Sequence, residues 1–144
     1  MSASGRLDDA FPSGLRVLLV EDESVVAMLL EDILGELGCE VVGPVAQIDK
    51  AVEMAQHEKI DAAILDVNLN GRKVYPVADA LAARSIPFIF ATGYGRDSLR
   101  APYDDRPMLQ KPFQQRDINA AFAEVRAMRD AAAGTGGESG GTPG

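Results

Sequence analysis

The chain has 144 residues, 47% of them hydrophobic and 25% charged, values that suit one domain with a single sizeable core. Lys and Arg total 14 against 22 Asp and Glu, a net charge of −8 with no basic cluster to reverse it locally, so nucleic acid is not an expected partner. No apolar run approaches a membrane span and no basic-then-apolar leader opens the chain. The lone cysteine, Cys39, rules out an internal disulfide and fits a reducing cytoplasm.

Residues 1–13 mix Ser, Gly, Asp and Pro without periodicity and read as a flexible arm. The first strand, 15–20, is almost continuously apolar, as expected of a parallel strand covered on both faces. A helix follows over about 24–38, with Val25, Val26, Leu29, Leu30, Ile33, Leu34 and Leu37 on one broad stripe and Gly38 as its stop. A short strand over about 40–45 ends near Gly43-Pro44. A weaker helix, about 49–58, turns Val52 and Ala55 inward, and the third strand runs 60–66.

The third helix, about 73–84, carries Val74, Val77, Ala78, Leu81 and Ala82 on its inner face. Pro76 falls in its first turn, where a missing N–H costs little. Strands at 87–91 and 107–111 follow. Between Thr92 and Pro107 only Arg96 to Ala101 has room to wind, so a fourth helix is short or disordered. The last helix, about 115–130, presents Ile118, Ala121, Phe122, Val125 and Met128 at helical spacing. Residues 131–144 read as a flexible, Gly-rich tail. The alternation over 14–130 predicts an α/β domain, doubly wound around a five-stranded parallel sheet.

Ligands of such sheets collect outside the carboxyl ends of the strands. Five residues fall there: Glu21 and Asp22 after the first strand, Asp66 after the third, Thr92 after the fourth and Lys111 after the fifth. Glu21 and Asp22, with Glu23 next, are costly together unless a cation or solvent relieves them. Helix capping by Asp22 or Ser24 explains the pair equally well. Asp66 on the same rim favours the cation. Three carboxylates with room for water suit Mg²⁺, with Asp66 and Asp22 as direct ligands and Glu21 acting directly or through water. The backbone carbonyl of Asn68 is placed as a further protein ligand.

Asp66 is the natural nucleophile, since a carboxylate can accept a phosphoryl group. Lys111 supplies a point charge to the transferring group, and Thr92 a hydrogen bond. A solvated surface lysine is the alternative for Lys111. Its place between a strand and Pro112 opposes that, because a cis Lys-Pro bond would aim it inward. For Thr92 alone, a β-branched residue closing a strand is the simpler reading.

The runs Val20-Glu21-Asp22-Glu23, Leu65-Asp66-Val67-Asn68-Leu69, Phe90-Ala91-Thr92-Gly93-Tyr94 and Lys111-Pro112-Phe113 carry a resemblance over 14–130. The chain resembles the receiver domain of two-component response regulators. That resemblance implies a flavodoxin-like receiver fold, with Asp66 taking phosphate from a histidine kinase or a histidine phosphotransfer protein. Thr92 and Lys111 would then sense the acyl phosphate. Phe90 to Tyr94 further resembles a stand-alone subgroup nicknamed for that motif. It is typical of alphaproteobacterial stress pathways and works with HWE or related histidine kinases. Two departures from ordinary receivers agree. The interval from Asp66 to Thr92 is short, and Met108 stands where most carry an aromatic switch, leaving Tyr94 or Tyr103 to replace it.

The expectation is therefore a monomeric, cytoplasmic, single-domain response regulator that signals by protein contacts, not an enzyme but a phosphoacceptor that catalyses its own phosphorylation and slow dephosphorylation. A phosphorylation-independent interaction module of the same fold is the main alternative, although all five site residues are intact. A haloacid-dehalogenase-like phosphatase needs a second Asp two residues after the first, where Asn68 stands. A P-loop is excluded, since Gly93-Tyr94-Gly95 lacks the following Gly-Lys-Ser/Thr. His57, the only histidine, reads as solvated.

Overall fold

Alternating apolar residues in the strands decide the layers. The computed structural model describes residues 12–93 and 99–141. Its elements run β1 (Arg16–Val20), α1 (Ser24–Glu36), β2 (Glu40–Val45), α2 (Ile48–His57) and β3 (Ala62–Asp66). Then come β4 (Asn68–Leu69), β5 (Arg72–Lys73), α3 (Tyr75–Ala83), β6 (Phe88–Thr92), β7 (Met108–Gln110) and α4 (Gln115–Gly141). The main sheet has the order β2-β1-β3-β6-β7, with every pair parallel. Leu18, Val20, Ala63, Leu65, Phe88 and Phe90 point to one face, against Ile48 and Ala51 of α2 and Val77, Ala78 and Leu81 of α3. Val17, Leu19, Ala62, Ile64, Ile89 and Ala91 point to the other, against Leu30, Ile33 and Leu34 of α1 and Ile118, Phe122 and Val125 of α4. Each large side chain so buried contributes about 1.5–3 kcal/mol. The doubly wound, flavodoxin-like receiver fold expected from the sequence is the one observed.

The chain leaves β1 for β2 on one side and later returns to β3 on the other. That reversal puts the carboxyl ends of β1 and β3 side by side, in the register Val20↔Leu65. A bulge in β2 finishes the arrangement. Its pairing with β1 shifts between Leu18 and Val20. Gly43 sits there at φ 104, where a Cβ would lie 2.9 Å from the Leu19 carbonyl oxygen.

Four sequence expectations need correction. Val25 and Leu29 are 79% and 43% exposed, on a flank of α1 that turns away from the sheet, while Ala27 takes the buried place between them. Ala82 on α3 is exposed for the same reason, a stripe drawn one residue too wide. α1 is not capped by Asp22 or Ser24, because Glu23 is its N-cap and makes no side-chain cap bond. Finally, α4 runs on to Gly141 rather than ending near 130. Ala131 to Ala133 carry the helix past that point, although each glycine beyond costs about 1 kcal/mol relative to alanine.

The expected fourth helix falls partly on 94–98, outside the described residues. Residues 99–106 form turns, in which the Tyr103 N–H donates to the Arg100 carbonyl (2.9 Å) and the Arg106 N–H to that of Tyr103 (3.1 Å). This stretch is better anchored than its sequence suggests. Leu99 and Tyr103 are each 6% exposed, and the Tyr103 hydroxyl donates to Asp79 Oδ1 at 2.6 Å. Among the described residues, no helix is long and apolar enough to cross a membrane.

Candidate functional site

Strand register delivers the site residues to one rim. Val20 pairs with Leu65, so Glu21 follows β1 level with Asp66 at the end of β3. Asp66 pairs with Ala91, placing Thr92 one step beyond, and Thr92 pairs with Gln110, placing Lys111 one step beyond that. The Lys111 N–H donates to the Thr92 carbonyl at 2.8 Å, and the Lys111–Pro112 bond is cis, as the sequence leads one to expect. Asp22, Asp66, Asn68, Thr92 and Lys111 line one cleft of about 450 Å³. Glu21 joins them through Lys111 and the other two acids, so the residues expected at the strand ends, Glu21, Asp22, Asp66, Asn68, Thr92 and Lys111, meet.

Among them, Glu21, Asp66 and Thr92 are buried, at 3%, 5% and 3% exposure. Lys111 Nζ reaches into their midst, 3.4 Å from Asp66 Oδ2, 3.3 Å from Glu21 Oε1 and 3.2 Å from Glu23 Oε1. Burial alone would lower the lysine pKa, but Asp66, Glu21 and Glu23 outweigh it and hold the ammonium above its ordinary value. Burial first, then the neighbouring Glu21 carboxylate, pushes Asp66 from 3.8 up to about 7. Lys111 and the Asn68 N–H, which donates to Asp66 Oδ1 at 3.2 Å, pull the other way.

One carboxylate oxygen each from Glu21, Asp22 and Asp66 lies within 4.8 Å of the others. Among the described residues, the fully buried Glu21 Oε1 has no hydrogen-bond partner, the Lys111 ammonium lying 3.3 Å away. A buried oxygen without a hydrogen bond, facing two further carboxylates, is a donor set short of positive charge, and hard oxygen donors with space for water fit Mg²⁺. Lys111 balances part of that charge.

Sequence reasoning missed two participants. Glu23 shares Lys111 through the contact just described, and no periodicity marks an exposed acid in that role. The other is the β4–β5 hairpin, which pairs Asn68 with Lys73 and Leu69 with Arg72 in antiparallel fashion. Its turn is Asn70-Gly71, with φ of 53 and 84. Two left-handed residues in a two-residue loop define a type I′ hairpin, and Asn-Gly is its strongest sequence signal. The Asn70 N–H donates to Asp22 Oδ2 at 2.9 Å.

Residues 17–123 match the response regulator receiver domain, and the chain belongs to that family. It is 34% identical over 124 residues to the transcriptional regulatory protein PdtaR of Mycobacterium tuberculosis, covering 78% of this chain but only 60% of PdtaR. The solution structure of SdrG from Sphingomonas melonis Fr1 is 50% identical with a TM-score of 0.70, over 76% of this chain and 93% of that one. A further solution structure of SdrG shows a BeF3-activated conformation. The receiver domain of the sensor histidine kinase PA1611 from Pseudomonas aeruginosa PAO1 is 27% identical with a TM-score of 0.66. The match covers 78% of this chain and 97% of that one, whose active-site cleft coordinates magnesium.

Proposed function

We propose that the chain acts as a single-domain response regulator, accepting a phosphoryl group from a phosphohistidine onto Asp66 and signalling through protein contacts in a phosphorelay. The observation that carries this reading is the meeting of a buried Asp66, a lysine 3.4 Å away and two further acids in one cleft. In the transfer, an Asp66 oxygen attacks phosphorus. The P–O bond forms as the P–N bond breaks, and the leaving imidazole nitrogen keeps the electron pair and takes a proton from solvent. Lys111 neutralises charge on the moving phosphoryl oxygens, and the Thr92 hydroxyl donates to one of them once transferred. Glu21, Asp22, Asp66 and the Asn68 carbonyl would hold Mg²⁺, which supplies further charge neutralisation at those oxygens.

Phe90 to Tyr94 supports the subgroup named for that motif, and with it a histidine kinase of the HWE type or a phosphotransfer protein as donor. Activation of SdrG by BeF3, an analogue of the phosphoryl group, supports the same chemistry in a close relative. Tyr94 lies outside the described residues. Tyr103 does face the core, stacked on Tyr75 with ring centroids 6.1 Å apart. That contact supports Tyr103 as the aromatic that takes over from the one missing at Met108. An asparagine two residues after Asp66 leaves a phosphatase without its general acid. Incubation of the wild type and Asp66→Asn with a phosphorylated histidine kinase and Mg²⁺ tests the proposal. Transfer to the wild type alone is expected, and equal labelling of both forms would overturn it.

A further inference from the structure

The Asn70-Gly71 turn has no part in phosphoryl transfer as described, yet it touches a metal-site acid. Asn70 is bound on two sides. Its backbone N–H donates to Asp22 Oδ2 at 2.9 Å, and its side-chain Nδ2 donates to the Ala46 carbonyl at 3.3 Å. Ala46 follows Val45, whose carbonyl accepts the Glu21 N–H at 3.0 Å. These three bonds tie Asp22 to the turn, and both the turn and Glu21 to the end of β2.

The hairpin behind the turn is held firmly. The Val74 N–H donates to the Val67 carbonyl at 2.9 Å, and Leu69 is buried at 1% exposure. The N–H that meets Asp22 therefore projects from a fixed platform. Carboxylates that ligate metals are themselves oriented by such outer hydrogen bonds, and losing one commonly costs 10–100-fold in affinity.

We propose that Asn70 is a positioning residue for the metal: its N–H fixes one Asp22 oxygen, so divalent-cation affinity and order of the β4–β5 hairpin are linked. The inference rests on reading Glu21, Asp22 and Asp66 as the Mg²⁺ site. Linkage is reciprocal, so Mg²⁺ must protect the Asn70 amide to the extent that the amide favours Mg²⁺.

Mg²⁺ alone, titrated into the full chain and followed by backbone amide NMR, is the test. Asn70→Pro removes the N–H and is expected to weaken Mg²⁺ about 10-fold. Asn70→Gly keeps the N–H and tolerates the left-handed φ but loses the Ala46 bond, and should bind clearly more tightly than Asn70→Pro. Should Asn70→Pro fail to fold, the wild type decides by itself. Saturating Mg²⁺ should then slow exchange of the Asn70 amide several-fold more than that of Val74, on the far side of the hairpin. A folded Asn70→Pro that binds like the wild type, an Asn70→Gly as weak as Asn70→Pro, or an Asn70 amide indifferent to Mg²⁺ would each overturn the linkage. A wild type that does not bind Mg²⁺ at all would instead overturn the metal reading beneath it.

Discussion

Replacing Asp66 with Asn removes a carboxyl that the metal-free fold holds at a cost. Its pKa rises from 3.8 to about 7, because the side chain is buried and lies beside Glu21. Between those two values the native state keeps a proton that the unfolded chain releases, so wild-type stability falls as pH rises through this window. A rise of roughly 3 units at about 1.36 kcal/mol each sets a ceiling of about 4 kcal/mol. Sharing of the effect with Glu21 and Lys111, and solvent at the cleft mouth, reduce it to about 2 kcal/mol. Without metal, Asp66→Asn should therefore be about 2 kcal/mol more stable at pH 8, which for this size is a Tm higher by about 4–8 °C. The gap should close toward pH 4, where the wild-type carboxyl is protonated and nearly isosteric with the amide. Urea unfolding of both forms in EDTA at each pH from 4 to 8 measures the difference. A gap independent of pH, or a wild type more stable at pH 8, would refute the burial argument.

Mg²⁺ at 100-fold excess over its dissociation constant should stabilise the wild type by about 2.7 kcal/mol, and Asp22→Ala should lose most of this gain in a thermal melt. Thr92→Ala should still accept phosphate while failing to change partner binding, whereas Lys111→Ala should slow acceptance itself. Radiolabel transfer and a pull-down separate the two, and equal defects in both variants would count against the division. Tyr103→Phe deletes a hydroxyl bonded to a carboxylate at 2.6 Å and should cost about 1.5–3 kcal/mol, with faster amide exchange over 99–106. Unchanged exchange there would show that Asp79 does not hold the segment.

The sheet and all five rim residues were legible because period-2 burial and strand ends follow from local sequence. Register then does the rest, since one residue of slip would have sent Asp66 to the wrong face. The flank of α1 was not legible. Val25 and Leu29 satisfy a helical period, and only the width of the sheet beneath decides which of them is covered. Ordering around Tyr103 was missed because its partners, Asp79 and Tyr75, are distant in sequence and neither marks itself as a contact. The β4–β5 hairpin was within reach, since Asn70-Gly71 announces a type I′ turn. Its short flanks, Asn68–Leu69 and Arg72–Lys73, lack the alternation by which strands are found.

Chemical mapping of the phosphoryl group reaches Asp66 most directly. An acyl phosphate on an aspartate is reduced by borohydride to homoserine, so the phosphorylated protein can be reduced, digested and read by peptide mass spectrometry. Homoserine at position 66, absent without phosphodonor or without Mg²⁺, is the expected result. Homoserine at Glu21's neighbour Asp22 instead, or a phosphate that survives reduction on another residue, would mean that Asp66 is not the acceptor.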